Sequence, residues 1–132
     1  MRAVVPPRVP LLAALLLVSG CAVPAGIQVP AELPNSTVEQ FLTLHWALVR
    51  EDGRVRAVGT AQTSMGGIEW DATLELLSFD GEGRVVNQNS TFVRSGFGVG
   101  PTAFELPLVT RGGEAAYRLQ VLSARQYERP FR

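Results

Sequence analysis

Ile68, Trp70, Ala72, Leu74 and Leu76 take every second position of one stretch, and Glu69, Asp71, Thr73 and Glu75 fill the places between them. Two is the side-chain period of a β-strand, whose successive residues point to opposite faces. Wound into a helix, the same residues would scatter their charges into the apolar stripe. The stretch is therefore committed to a strand with one core face and one polar face. Leu77 and Phe79 make the far end of the second face apolar as well. The period returns at Leu42, Leu44, Trp46 and Leu48, which alternate with Thr43, His45, Ala47 and Val49.

Turn signals separate these stretches. Glu51-Asp52-Gly53-Arg54 contains Asp-Gly, a tight-hairpin signal. Met65-Gly66-Gly67, Asp80-Gly81-Glu82-Gly83 and Arg111-Gly112-Gly113 are further turns. Between them the pattern predicts strands over residues 55–63, 84–93 and 102–109, and a last one through Tyr117, Leu119 and Val121. Ala57, Gly59 and Ala61 give the strand at 55–63 a face of small residues, open to another backbone or a large side chain. Pro107 cannot donate to a ladder, which puts 102–109 at a sheet edge or a strand end. No amphipathic helix is evident. The expected fold is all-β, a small antiparallel immunoglobulin-like sandwich of six or seven strands. Its expected core is Leu42, Leu44, Trp46, Ile68, Trp70, Leu74, Leu76, Phe104, Leu106, Tyr117, Leu119 and Val121. Such a core suffices for one domain without disulfides.

Composition narrows the chemistry. The 132 residues include 12 basic residues, all arginine, and 12 acidic ones, for a formal net charge of zero. Phosphate binding needs a basic excess, so nucleic acid is not an expected partner. The arginines are scattered, with no basic block to form a lipid or nucleic-acid patch. A single cysteine cannot close an internal disulfide, and with a single histidine it falls short of a structural zinc site. Neither a metal nor a cofactor is expected.

Residues 1–20 read as a secretory signal peptide. Arg2 and Arg8 supply its positive start. An apolar run over residues 9–18, broken only by Pro10, follows. It is too short to span a bilayer, which takes about 20 apolar residues. The segment closes on Val18-Ser19-Gly20-Cys21, an aliphatic residue, two small residues and a cysteine. This resembles the lipobox of bacterial lipoproteins. The resemblance implies cleavage before Cys21, a diacylglycerol on its sulfur and acylation of its new amine. Several acyl chains hold a protein stably where one does not. With Ala22 rather than aspartate after the cysteine, the resemblance also implies the outer membrane, with the domain facing the periplasm. Loss of Arg2 and Arg8 leaves the mature chain slightly acidic.

Residues 21–39 then comprise the lipidated cysteine and a linker containing Pro24, Pro30 and Pro34, with no helical or strand period. The sandwich occupies 40–126, and 127–132 form a loose tail. The middle of the chain, over about residues 55–122, resembles FxLYD domains, small β-sandwich modules of bacterial and archaeal envelope proteins. The resemblance rests on Val58-Gly59, Leu76-Leu77-Ser78-Phe79-Asp80, Gly83-Arg84-Val85-Val86, Phe104 and Tyr117-Arg118-Leu119-Gln120-Val121, in that order. Leu76, Ser78 and Phe79 depart from the motif that names the family. It implies a sandwich and an envelope setting and transfers no catalytic residue.

Candidates for chemistry are few. His45 lies on a strand face opposite Leu44 and Trp46, and no Gly-x-Ser-x-Gly elbow supplies a nucleophile beside it. A solvated or half-buried strand histidine is expected. Glu69, Asp71 and Glu75 share a strand face, with Glu69 and Asp71 about 7 Å apart. Paired carboxylates serve glycoside hydrolysis or calcium binding, but the simpler reading is the water-facing side of a sheet. Asp80-Gly81-Glu82 lacks the ligand ladder of a calcium loop and reads as a turn. The loop Ser95-Gly96-Phe97-Gly98-Val99 misses the spacing of a nucleotide fingerprint. Phe97 and Val99 would give it an apolar contact tip. The expected function is a non-enzymatic, lipid-anchored envelope protein that binds, scaffolds or assists an envelope protein partner through loop 94–101 or a sheet edge. The alternatives are a small-ligand module at the sandwich end and an envelope hydrolase built on Glu69, Asp71 or His45.

Overall fold

The computed structural model describes residues 26–64, 68–96 and 100–127. Its regular structure is seven strands: β1 (Asn35–Glu39), β2 (Leu42–Glu51), β3 (Arg54–Thr63), β4 (Glu69–Phe79), β5 (Val85–Arg94), β6 (Thr102–Val109) and β7 (Ala116–Tyr127). They form two antiparallel sheets, ordered β1-β2-β3-β6 and β5-β4-β7. The chain is the all-β sandwich its alternation predicts. Consecutive strands β3 and β4 lie in different sheets and pair with β6 and β7, which are consecutive in turn. This interlocked pairing is that of strands B, C, E and F in an immunoglobulin-type sandwich, with β5 at the C′ edge. No strand follows β7 among the described residues.

Leu42, Leu44, Trp46, Trp70, Leu74, Leu76, Phe104, Leu106, Leu119 and Val121 are buried between the sheets, as the alternation requires. Ile68 and Tyr117 are only half-buried, because Ile68 precedes β4 and Tyr117 lies near the start of an edge strand. Val55, Val93 and Leu108 complete the core. Asp52-Gly53 is a two-residue turn, and Gly53 takes the left-handed φ of +75° that favours glycine. Pro107 sits on β6, an edge strand. Asp80 is a turn residue, its Oδ1 accepting the Glu82 and Arg84 N–H groups at 2.9 Å.

Two elements depart from the sequence reading. β1 falls in the segment read as linker, and Tyr127 ends β7 rather than opening a loose tail. β1 carries only Val38 as a large apolar residue, and Val38 points to solvent, 71 % exposed. The turn into β2, Gln40-Phe41, lacks turn residues, and Gln40 adopts φ +55° without being glycine. The left-handed region costs a non-glycine residue about 1–2 kcal/mol. Gln40→Gly should therefore raise stability slightly, by about 0.5 kcal/mol after the entropy of the unfolded glycine is counted. A denaturant titration reads this directly.

The strand role of β1 comes from its contacts. Thr37 Oγ1 accepts the Trp46 indole N–H at 3.2 Å and donates to Leu119 O at 3.2 Å. Glu39 Oε1 accepts the Val121 N–H at 2.5 Å. Side chains from one sheet thus satisfy the open edge of β7 in the other. The opposite seam is closed the same way. Asn87 Nδ2 donates to Val109 O at 2.9 Å, and Asn89 Nδ2 donates to Pro107 O at 2.7 Å. Unpaired edge groups invite pairing with other chains, and both seams blunt that risk. Replacing Asn87 and Asn89 together by alanine should cost about 1–2 kcal/mol, from net values near 1 kcal/mol per hydrogen bond. The melting temperature should fall by roughly 5–10 °C.

Above the asparagines the second seam opens. A slot of about 210 Å³ lies between Thr91–Arg94 of β5 and Thr102–Glu105 of β6, and Ile27 lines it. Ile27 itself is 41 % exposed, while Val29, Pro30 and Leu33 are half-buried. This part of the linker lies against the domain.

Candidate functional site

The outer face of the three-stranded sheet is where sequence and structure diverge most. β4 is its central strand, with Asp71 opposite Arg94 of β5 on one side and Arg125 of β7 on the other. The register between β4 and β7 shifts at Thr73/Leu74, where Ser123 pairs with Thr73 and Val121 with Leu74. Leu122 is the extra residue of this bulge. Ahead of it Leu119 and Val121 point into the core; beyond it the parity reverses. Arg125 and Tyr127 would otherwise continue the inward series. The bulge turns both outward, onto the face that carries Asp71.

Asp71 is consequently 3 % exposed rather than water-facing. Its carboxylate accepts the Tyr127 hydroxyl and pairs with Arg125 Nη2 at 3.3 Å. The Tyr127 hydrogen bond, with support from Arg125 and the more distant Arg94, holds the Asp71 carboxyl below the usual carboxylate range. The same hydrogen bond pushes the Tyr127 hydroxyl above the usual phenol range. The signs set a window. A depressed carboxylate contributes stability above its unfolded pKa and loses it as pH falls through the folded value. A raised phenol contributes below its unfolded pKa and loses it as pH rises through the folded value. The pair therefore stabilises the domain between about pH 4 and about pH 10. Asp71→Asn should flatten the loss of stability between pH 5 and pH 3, measured by urea titration at each pH.

Glu75 Oε1 accepts the Gln120 side-chain amide at 2.8 Å. Glu69 borders a recess of about 570 Å³ at the end of this sheet, with Trp70, Arg94, Ser95, Gly96 and Tyr127 as its other described walls. The three carboxylates thus have separate settings and do not converge on one point. His45 is exposed on the outer face of the other sheet, on β2. Among the described residues no group of three histidine, cysteine or acidic side chains is placed to hold a metal ion.

Ser95 and Gly96 of the expected contact loop stand at this recess. Ser95 ends the β5 ladder, its N–H donating to Trp70 O at 2.9 Å and its Oγ accepting the Trp70 N–H at 3.0 Å. Gly96 is exposed just beyond. Phe97, Gly98 and Val99 lie outside the described residues, as do Val18, Ser19, Gly20 and Cys21. Arg94, Arg125 and Tyr127 carry no local signal in the sequence. Their place at the site follows from a bulge and two cross-strand registers.

Arg94 belongs with Arg50 and Arg118, which lie over the Tyr117 and Phe79 rings and have no acid partner among the described residues. Arg54, Arg56, Arg84 and Arg125 each pair with an acid. The Arg94 guanidinium instead lies over the Phe92 ring, 6.0 Å from its centre. Stacking of this kind holds the planar head in place without neutralising it.

No family model, curated protein or solved structure matches the chain. Among the described residues no helix is long and apolar enough to cross a membrane.

Proposed function

We propose that the protein is a lipid-anchored binding module of the cell envelope, held by acyl chains on Cys21 and acting without chemistry of its own. The observation that carries the binding role is the open recess beside Ser95 and Gly96, whose volume of about 570 Å³ lies within the range of ligand sites. The separation of His45 from Glu69 and Asp71 across two sheets argues for recognition over hydrolysis. The likeness of Val18-Ser19-Gly20-Cys21 to a lipobox and the order of FxLYD-like elements support the envelope setting.

The packed linker bears on the geometry of anchoring. Ile27 lies against β5 and β6, so only six peptide steps separate it from Cys21. Fully extended, they span about 20 Å. The sandwich would then sit close over the membrane, and its partner would be an envelope protein within that reach.

Two measurements test this. Cys21→Ser should move the protein from the membrane fraction to the soluble one, and mass spectrometry should find the native N-terminus at an acylated Cys21. An unmodified Cys21 overturns the anchor. A photo-crosslinking residue at Gly96 should capture a partner that the same residue at Asp52, in the turn between β2 and β3, does not. Equal capture at both positions, or none at either, overturns the recognition role.

A further inference from the structure

We infer that the outer face of the three-stranded sheet, at the end where β4 begins, rests on the lipid leaflet through Phe92, Leu122 and Tyr127, with Ile27 at their margin. The inference rests on the anchor proposed at Cys21 and names the side of the domain that meets the lipid. Among the described residues seven large hydrophobic side chains are exposed. Four of them gather at this end. Phe92 of β5 lies across Thr73 from Ser123 of β7, and Leu122, the extra residue of the bulge, adjoins Ser123. Leu122 is two residues past Gln120, which bonds to Glu75 on the outer face, so it comes out on that face too. Tyr127 ends the same strand with its hydroxyl on Asp71, and Ile27 shares a slot with Phe92. The other three stand apart. Val38 is on β1, in the other sheet, and Val85 and Val109 are at the opposite end of the sandwich.

What covers the patch follows from the tether and from charge. Ile27 is six peptide steps from Cys21, about 20 Å fully extended. An acylated Cys21 therefore holds the margin of the patch within about that distance of the leaflet. Val85 stands seven residues down β5 from Phe92, about 23 Å further along the strand. The charges at this end bring no positive excess. Asp71 pairs with Arg125, and the recess at the rim carries Glu69 and Arg94, one charge of each sign. Glu75, in the next row, is half-buried with its carboxylate bonded to Gln120. Attraction to anionic headgroups is thus not what seats the domain; the contact is apolar. The guanidinium groups of Arg94 and Arg125 lie over the Phe92 and Tyr127 rings, 6.0 and 5.3 Å from their centres. Aromatic rings with polar groups at their rim suit the headgroup boundary, where an interfacial surface sinks about 5–10 Å. The recess beside Gly96 then opens at headgroup level, and what it recognises reaches it along the membrane plane.

Dithionite reduction of a nitrobenzoxadiazole label tests the contact on the full acylated protein in phosphatidylcholine nanodiscs. Acylation blocks Cys21, the one native cysteine, so Phe92→Cys, Leu122→Cys, Val85→Cys and Val109→Cys each carry a single label. The four native side chains are between 49 % and 62 % exposed, so the protein itself shields them alike. Dithionite stays in water, and labels at 92 and 122 should be reduced at least about threefold more slowly than labels at 85 and 109. In the Leu122→Cys chain, Phe92→Ser should speed the reduction about twofold or more, because the apolar contact shrinks. Circular dichroism of each variant checks the fold. Equal rates at all four positions, or slower reduction at 85 and 109, overturn the inference. Protection that appears only with phosphatidylglycerol in the disc overturns it too, by assigning the contact to charge. Its failure is separable from that of the parent reading. An unmodified Cys21 removes the anchor and the patch together, whereas an acylated Cys21 with labels at 92 and 122 as accessible as the others removes the patch alone.

Discussion

Gly59→Ala should unfold the domain well below the temperature at which the native chain melts. Gly59 lies on the inner face of β3, opposite Trp46 of β2 and Phe104 of β6. A Cβ built there would come within 2.7 Å of Trp46 Cα and 2.8 Å of Trp46 Cβ, and closer still to the His45 carbonyl oxygen. These atoms are backbone or fixed to it, so no rotamer change relieves the collision. Overpacking in cores costs about 1–3 kcal/mol and sometimes more, and a clash with a paired strand belongs at or above the top of that range. A loss of about 3 kcal/mol is a large share of the 5–15 kcal/mol typical of a domain. The melting temperature should fall by roughly 15 °C. Gly96→Ala is the control, because its Cβ would meet nothing within 4 Å. A melt of Gly59→Ala that overlays the control would refute the packing account.

Phe104→Ala should cost as much or more, for the opposite reason. Phe104 is 2 % exposed and fills the space over Gly59 from the β6 side. The glycine has no side chain to cover, and the ring supplies the missing contact between β3 and the core. Truncating a buried phenylalanine costs about 3–5 kcal/mol, part transfer and part cavity. The cavity here would adjoin a residue that cannot collapse into it. Urea titration should show the midpoint lowered by about one molar or more, from a slope of about 1–3 kcal/mol per molar for small domains. A shift smaller than one tenth molar would mean that the wall of the core relaxes around the loss.

The two substitutions also mark how far the chain can be read without its fold. Ala57, Gly59 and Ala61 announce a face of small residues, and the structure puts Trp46 and Phe104 beside the glycine. The reading succeeds because alternation, small faces and turn glycines are local properties, carried by residues a few positions apart. It fails at β1, whose polar Asn35–Glu39 has no apolar rhythm. The strand exists because Thr37 and Glu39 bond to Leu119 and Val121, some 80 positions away (82 in both cases). It fails again at Ile68, which the alternation places in the core although β4 begins one residue later.

The site shows the same division more sharply. Trp70, Ser95 and Gly96 are legible as a strand residue and a loop start. Arg94, Asp71, Arg125 and Tyr127 are not legible as a cluster, because one extra residue at Leu122 reverses the parity of everything after it. Counted by twos from Leu119, Arg125 and Tyr127 point inward; in the fold they point out and cover Asp71. The sequence by itself determined β2 to β7, most of the turns and the aliphatic core, since those follow from side-chain period and backbone preference. Only the tertiary structure decided which scattered arginines meet, which carboxylate is buried and where the open recess lies. Those depend on register and bulges between strands, and no period within a single strand records them.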